Sequence, residues 1–270
     1  FDGCQNVTIR NCTITLNRSN TPTVGIYAGN HIATATTALT LTATTDAMSD
    51  CSFYGNTIQN CVTGISLRGF AAPAPYALYD QNNDIGGTSG TTGNTIRNYG
   101  GTTSGSGINL QYQNNANTSY NNVNNTAGGG IAATTILYGI YTQNGTNSSV
   151  TVTNNTIELT MGTTGSSLYG VNSSCPGTGT VNVNNNRFTA SGGSTGAMYM
   201  IYTGSAITNV NTNNNTFYNI NVATTGSLYL VYYSTAATPA YITCNNNMTD
   251  GPSTPYINKT GAGGTVAGYY

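Results

Sequence analysis

Two stretches of this chain share one pattern, and that pattern decides the fold. Residues 137–157 read LYGIYTQNGTNSSVTVTNNTI, and residues 168–188 read LYGVNSSCPGTGTVNVNNNRF. Each begins with Leu-Tyr-Gly and an aliphatic residue, and each ends with an Asn two places before a large apolar residue. A third copy, MYMIYTGSAITNVNTNNNTF, occupies residues 198–217. A pattern that returns about every 30 residues is typical of a repeat protein whose units pack on one another.

The asparagine at the end of each unit recurs along most of the chain. In a solenoid, equivalent residues of successive coils lie about 4.8 Å apart, so their amides can hydrogen-bond to one another in a continuous ladder. A propeller or a sandwich offers no such stacking. The predicted ladder consists of Asn56, Asn94, Asn121, Asn155, Asn186, Asn215 and Asn246.

Each unit also contains two short alternating segments separated by Gly, Ser, Thr and Asn, which predicts strand, turn, strand, turn. Asn tolerates the left-handed backbone that a sharp corner between strands needs. We therefore predict an all-β fold, a parallel β-helix of about eight coils with asparagine ladders at its corners. Residues 1–270 are expected to form one β-helix domain, a segment of a longer chain or stack. Residues 31–50 and 71–87 break the period and are expected to protrude.

The composition narrows the range of partners. The 270 residues include only 6 Lys and Arg and 7 Asp and Glu, and the formal net charge is −1. Such a chain has no basic surface for phosphates, so we expect neither nucleic-acid binding nor membrane insertion. With 37% hydrophobic residues and 20 Tyr, it can nevertheless build a core. Because exposed strand edges at the end coils need a cover, we expect other copies or neighbouring segments of an assembly as partners.

The unit Asn-Thr-Ile-x-Asn, present at Asn56–Asn60 and Asn94–Asn98, is followed by Tyr-Gly-Ile-Tyr at Tyr138–Tyr141. This combination resembles the right-handed β-helix repeats of large secreted surface proteins of Bacteroidota-type bacteria. The resemblance covers essentially the whole chain. It implies a right-handed parallel β-helix, export, and display on a bacterial cell surface, commonly in adhesins or filaments. Because the fold hosts many activities, the resemblance specifies fold better than function.

The same architecture houses pectate lyases, polygalacturonases and phage tailspike hydrolases, so a polysaccharide-binding or polysaccharide-degrading protein is the alternative. Glycoside hydrolysis needs two carboxylates about 5 to 10 Å apart. The candidate pairs, Asp46 with Asp50 and Asp80 with Asp84, lie in the irregular stretches. The Asp-Asp, Gly-His-Gly and Arg-x-Lys motifs of polygalacturonases are absent from the sequence. We therefore expect no catalytic residues, and a rod-like, extracellular structural or adhesive module.

The tyrosines of the repeat are the candidate binding residues. By alternation, Tyr138 shares a face with Ile140, while Tyr141 points the other way. If Ile140 faces the core, an aromatic strip faces outward, and such a strip can bind sugar faces or another protein. The alternative is that these rings only cover the sheet. The predicted strip consists of Tyr141, Tyr202 and Tyr232.

One short segment has the spacing of a metal-binding loop. Asp80, Asn82 and Asp84 place oxygen ligands at alternate positions, as calcium loops do. The segment lacks the closing acidic residue, so a bound Ca²⁺ and a simple role in turn formation are both open. No other cofactor is expected.

The six cysteines suggest two disulfides. Aligning residues 8–12 with residues 57–61 puts Cys12 and Cys61 at equivalent places in adjacent coils, at a separation that a disulfide can bridge. Cys4 and Cys51 can pair in the same way, and buried free thiols are the alternative for both pairs. The remaining two, Cys175 and Cys244, are expected to be free.

Overall fold

Almost all the regular structure of the chain is β-strand. The computed structural model describes residues 3–32, 34, 37–222, 227–234, 241–245, 247–250, 257–260 and 265–267. Within these residues, the strands wind into three long sheets, and consecutive strands of the chain pass from one sheet to the next. Neighbouring strands in each sheet pair in parallel. The chain is a parallel β-helix, as the repeat predicts.

The three sheets have nine, eight and eight strands. Sheet 1 contains Thr8–Arg10, Ser52–Tyr54, Asp84–Gly86, Ala116–Ser119, Val150–Thr153, Gly177–Asn184, Ile207–Asn211, Tyr241–Thr243 and Thr265–Ala267. Sheet 2 contains Thr13–Thr15, Thr57–Cys61, Thr95–Tyr99, Asn122–Asn124, Thr156–Thr164, Arg187–Ser194, Thr216–Val222 and Met248–Asp250. Sheet 3 contains Val24–Gly29, Thr63–Arg68, Gly105–Gln111, Leu137–Gln143, Leu168–Ser174, Met198–Thr203, Leu228–Ser234 and Ile257–Thr260. Two further elements are a small sheet, Asp80–Gln81 with Gln113–Asn114, and a 3₁₀ helix, Thr44–Asp46.

Each coil has three strands, one more than the sequence predicts. The additional strand is the one in sheet 1, for example Val150–Thr153, which directly precedes Thr156–Thr164 in sheet 2. Only Asn154 and Asn155 separate the two strands. Because so short a corner leaves no loop between the two strands, the prediction counts them as one segment.

Two adjacent residues have different roles at this corner. Asn154 adopts the left-handed backbone, with φ of 58°, and Asn155 contributes its side chain to the ladder. Asn is one of the few residues that adopts this conformation at small cost, which explains the Asn-Asn pairs of the sequence. Four other ladder positions are also preceded by a residue with positive φ: Gly55, Tyr120, Asn185 and Asn214.

The asparagine ladder is confirmed. The amide of Asn155 donates to Oδ1 of Asn186 at 3.0 Å and to the carbonyl oxygen of Thr118 at 2.9 Å. Its own Oδ1 accepts from the backbone N–H of Asn121 at 2.9 Å. The same side-chain bonds, 2.9 to 3.1 Å long, connect Asn56, Asn94, Asn121, Asn155, Asn186 and Asn215 in order. These side chains are buried, so the ladder satisfies polar groups that would otherwise be unpaired in the core.

The last predicted ladder position is one residue off. Asn246 lies outside the described residues, and the amide of Asn215 donates to Oδ1 of Asn247 at 3.0 Å. The strand register explains the shift, because Thr216 pairs with Met248. The spacing of the repeat changes by one residue in this coil, and the sequence alone does not show where.

The space between the three sheets is filled by columns of apolar side chains. The β-helix buries them coil by coil, and each fully buried Ile, Val or Phe contributes about 1.5–3 kcal/mol. One column, from sheet 2, is Ile58, Ile96, Val123, Ile157, Phe188 and Phe217. Another, from sheet 3, is Ile26, Ile65, Ile108, Ile140, Val171, Ile201 and Val231.

The insert at residues 31–50 is mainly exposed over the described part of residues 32–45, and its last residues pack on the first coil. Leu41, Ala47 and Ser49 are buried. The backbone of residues 44–49 bonds to the first described residues, for example from Gly3 N to the carbonyl oxygen of Thr45 at 2.8 Å. The apolar residues of the insert therefore cover the first coil.

The insert at residues 71–87 is largely part of the coil stack. Tyr79, Asp80 and Ile85 are buried, and Asp84–Gly86 is a strand of sheet 1. Only residues 73–78 form a mainly exposed loop. The irregular spacing of this stretch therefore reflects a corner loop, and most of the predicted protrusion is wrong.

Candidate functional site

Seven tyrosines form a continuous group on the outer side of sheet 3. They come from four successive strands, and each is partly exposed. We call this group the tyrosine face. It consists of Tyr138, Tyr141, Tyr169, Tyr199, Tyr202, Tyr229 and Tyr232.

Tyr138 faces outward together with Tyr141, contrary to the prediction that it shares a face with Ile140. The reason is a break in the alternation, since Gly139 and Ile140 are both buried and consecutive. A Cβ on Gly139 would lie 2.5 Å from the carbonyl oxygen of Gly170 in the next coil. The glycine therefore allows the close approach of two coils at the point where the strand bends.

Five of the rings form one stack. Tyr141 lies against Tyr138 with centroids 4.4 Å apart and an interplanar angle of 6°. The stack continues through Tyr169, Tyr199 and Tyr229 at 5.1 to 5.2 Å per step, with angles of 8° to 15°. Each inner ring therefore uses both of its faces on neighbouring tyrosines.

The two remaining rings, Tyr202 and Tyr232, stack on each other at 5.4 Å with an angle of 3°. They meet Tyr199 edge to face at 66° and 65°. Asn172 occupies the position between Tyr141 and Tyr202 in the register of sheet 3. The surface thus presents mostly ring edges and hydroxyl groups, since most ring faces are covered.

The electrostatic character of the tyrosine face is neutral. The four strands that carry it contain no charged residue. Burial raises the pKa of Tyr138 and of Tyr199 to about 12, and neighbouring phenols add to this. These hydroxyl groups are protonated at neutral pH, so they can both donate and accept hydrogen bonds.

The three candidate calcium ligands take part in hydrogen bonds between coils. Asp80 Oδ2 accepts from Gln113 Nε2 at 2.8 Å, and Asp84 Oδ1 accepts from Asn117 Nδ2 at 2.8 Å. Between them, Asn82 Oδ1 accepts from the amide of residue 115 at 2.7 Å. Each oxygen therefore faces its own amide on the next coil. Among the described residues, no three His, Cys, Asp or Glu side chains are grouped to hold a metal ion.

The environment of each candidate carboxylate is different. Asp80 is buried and also accepts from the backbone N–H of Met48 at 3.0 Å, and burial raises its pKa to about 6. Asp46 Oδ2 accepts from the backbone N–H groups of Thr42 and Ala43, and these bonds lower its pKa. Asp50 Oδ1 accepts from the side-chain amide of residue 82 at 3.0 Å. All of these carboxylates serve as structural acceptors.

The six cysteines are free. The backbone N–H of Cys12 donates to Oδ1 of Asn56 at 3.0 Å, so Cys12 occupies a ladder position. The alignment that pairs it with Cys61 is therefore wrong, because Thr13 pairs with Thr57 in sheet 2 and Cys12 thus lies opposite Asn56. The sulfur of Cys51 lies 3.4 Å from the carbonyl oxygen of Cys4, so this second pair is adjacent but not bonded.

A cavity of about 580 Å³ opens in the first coil and was not foreseen from the sequence. It lies beneath the insert at residues 39–48, whose apolar residues line one wall. The signal for it was the length of this insert, which interrupts the repeat between the first two coils. The apolar residues around this first-coil cavity are Val7, Ile9, Ile26, Ala28, Leu39, Leu41, Met48 and Phe53.

Comparisons with protein-family models, curated proteins and solved structures gave no match. In the part of the chain that the structure describes, no helix has the length and apolar character needed to cross a membrane.

Proposed function

We propose that this protein is a non-catalytic structural or adhesive module, a rod-like β-helix that works outside a bacterial cell and binds through its tyrosine face. The observation that carries the proposal is the tyrosine face itself, with seven rings on four strands that contain no charged residue. Tyr buries a large apolar area at low entropic cost, which is why it is common at contact surfaces. The resemblance of the repeat to secreted surface proteins supports the location.

The positions of the acidic side chains support a role without catalysis. A pair of catalytic carboxylates must reach a substrate from both sides of the scissile bond. Asp46, Asp50, Asp80 and Asp84 accept hydrogen bonds from backbone or side-chain amides of the coil stack. Glu158 is exposed on sheet 2, away from these four residues in the sequence.

The second candidate function is polysaccharide binding. The observation that favours it is the step of 5.1 to 5.2 Å between successive rings from Tyr138 to Tyr229. A row of hydroxyl groups with a constant step offers the same hydrogen bonds to each unit of a repeating polymer. Because the ring faces are covered, such binding would depend on ring edges and hydroxyl groups.

The experiment compares two double variants with the wild-type chain. Tyr199→Thr with Tyr229→Thr removes the last two rings of the stack, while Thr keeps a high strand propensity. Tyr54→Thr with Tyr218→Thr is the matched control, because these tyrosines lie outside the tyrosine face. Self-association is measured by sedimentation velocity, and binding to insoluble cellulose and chitin by depletion from solution.

If the proposal holds, the wild-type chain self-associates, the face variant stays monomeric, and the control behaves as wild type. If the wild-type chain binds cellulose or chitin and only the face variant loses this binding, polysaccharide binding replaces self-association as the proposed function. Release of new reducing ends from either polymer would overturn the non-catalytic assignment. Equal behaviour of both variants would show that the tyrosine face is not the contact surface.

A further inference from the structure

The first-coil cavity has the size and lining of a small-molecule site. Its volume of about 580 Å³ lies within the range of about 300–1,000 Å³ that ligand sites occupy. Ile26, Leu41 and Phe53 are buried in its wall, and they belong to three separate segments of the chain.

The walls of the cavity are held by hydrogen bonds. The backbone of Leu39 exchanges bonds of 3.0 and 2.8 Å with the backbone and side chain of Asn30. On the opposite side, Asn6 N donates to the carbonyl oxygen of Ser49 at 3.1 Å. The insert is thus fastened at both ends over the first coil, and the cavity beneath it is a formed feature of the fold.

Most polar groups around the cavity already have partners. The hydroxyl of Tyr27 bonds to Nε2 of His31 at 2.9 Å, and the other ring nitrogen of His31 lies 2.8 Å from the carbonyl oxygen of Ile32. Asp46 and Asp80 accept the hydrogen bonds described above. The acidic charge of Asp46 is compensated by two backbone N–H donors.

Arg68 is the exception. It ends a strand of sheet 3, its side chain is exposed, and among the described residues that line the cavity it is the only Lys or Arg. Its guanidinium makes neither a hydrogen bond nor a salt bridge to any residue that the structure describes. An unpaired guanidinium offers two parallel donors to a carboxylate.

We propose that the first-coil cavity binds a small amphipathic carboxylate, an apolar chain or ring system that ends in one anionic group. The apolar part lies against Ile26, Leu41 and Phe53, and the carboxylate pairs with Arg68. This site is separate from the tyrosine face and does not depend on the proposed adhesive function.

The test uses two probes with the same tail, decanoate and decanol, titrated into the whole chain by calorimetry. Decanoate is kept below its critical micelle concentration and decanol below its solubility limit. Arg68→Gln is expected to weaken decanoate about tenfold, because one charge-assisted pair is lost. Decanol, which has no charge, should bind this variant within about twofold of wild type. Arg187→Gln, at an exposed arginine outside the cavity, is the matched control and should change neither probe.

A second variant tests the cavity itself. Ala28→Trp places a large side chain among the lining residues and is expected to weaken both probes at least about tenfold. Circular dichroism checks that this variant is folded, and Leu39→Trp replaces it otherwise. The absence of saturable binding of either probe to the wild-type chain would overturn the proposal. Equal decanoate affinity in wild type and Arg68→Gln would overturn the carboxylate assignment.

Discussion

The central coils and the first coil are built from the same three sheets, yet their interiors differ. In the central coils, like side chains stack on like, as in the ladder through Asn155 and the column through Ile157. In the first coil, Cys12 takes the ladder position, and a segment of the insert lies where stacking would otherwise continue. The interior of that coil is open by about 580 Å³.

The difference shows that, in this repeat fold, the parts that stack regularly and the parts that can bind a ligand are different. Stacking of equivalent residues fills the interior and leaves only the outer surface for contacts, which is where the tyrosine face lies. An insert that replaces stacking cannot match the shape of the coil beneath it, so a cavity remains. We therefore expect substitutions in the central coils to change stability, and substitutions around the first-coil cavity to change pH response and ligand binding.

The largest effect is expected when the ladder is interrupted in the centre. Asn155→Ala removes the acceptor of the Asn121 backbone N–H and the donor to the Thr118 carbonyl oxygen. Each buried group left without a partner costs about 1–3 kcal/mol, so the free energy of unfolding should fall by about 4 kcal/mol. Urea denaturation followed by circular dichroism measures this loss.

The control for the ladder is Asn122→Ala, at an exposed asparagine in the same coil as Asn121. Its free energy of unfolding should stay within about 0.5 kcal/mol of wild type. A similar loss in Asn122→Ala and Asn155→Ala would mean that the stacked amides do not stabilise the central coils.

The next largest effect is a pH dependence of the free energy of unfolding that arises from Asp80, a buried residue that lines the first-coil cavity. Burial raises the pKa of Asp80 to about 6 in the folded chain, above its ordinary value of 3.8. The folded state therefore binds more protons than the unfolded state between about pH 4 and pH 6. Stability from this group is fully present below pH 4 and is lost as the pH rises through 6, by about 3 kcal/mol at most.

Asp80→Asn removes this titration. We expect the free energy of unfolding of wild type to fall relative to this variant between pH 4 and pH 6, and the difference to be constant above pH 7. Asp50→Asn is a control at an exposed carboxylate of the neighbouring corner. If wild type and Asp80→Asn show the same slope with pH, Asp80 is not a buried acid.

A third change tests the close approach of coils under the tyrosine face. In Gly139→Ala, the new Cβ would lie 2.5 Å from the Gly170 carbonyl oxygen and 2.7 Å from Cγ2 of Ile157. We expect a loss of about 2 kcal/mol in the free energy of unfolding, because a packed interior resists added atoms. Gly90→Ala is the matched control, since its Cβ would have no atom within 4 Å. Equal stabilities of the two variants would contradict the observed register of sheet 3.

The smallest expected effect is a difference in thiol reactivity between the first coil and the rest of the chain. Cys4 and Cys12 are exposed, while the other four cysteines are buried. Burial raises the pKa of Cys61 to about 12, so its thiolate is scarce at neutral pH. An aromatic disulfide reagent should label two thiols quickly in the native chain and all six after denaturation. A native chain with no fast thiol would indicate disulfides in the first coil.

The sequence predicts much of the central coils because stacking makes each coil reproduce its neighbour. The ladder from Asn56 to Asn215 and the apolar columns follow from spacing alone. The predictions are wrong where spacing changes by a few residues, as with Cys12, or where alternation is broken, as at Gly139. A pattern of period two cannot show that two consecutive residues are both buried.

The first coil could not be predicted in the same way. The segment from Leu39 to Ser49 has no equivalent in other coils, so nothing in the repeat indicates where it packs. Its position depends on contacts such as Gly3 N to the Thr45 carbonyl oxygen, between residues far apart in the chain. The cavity, and the exposure of Arg68 beside it, follow only from that packing.

Hydrogen exchange of the asparagine side-chain amides, followed by NMR, tests the ladder most directly. The amide protons of Asn94, Asn121, Asn155 and Asn186 are buried and bonded to the next coil, so they should exchange at least about a hundredfold more slowly than those of Asn122. Exchange of all these amides at the rate of Asn122 would contradict the stacked ladder, and with it the β-helix on which both proposed sites depend.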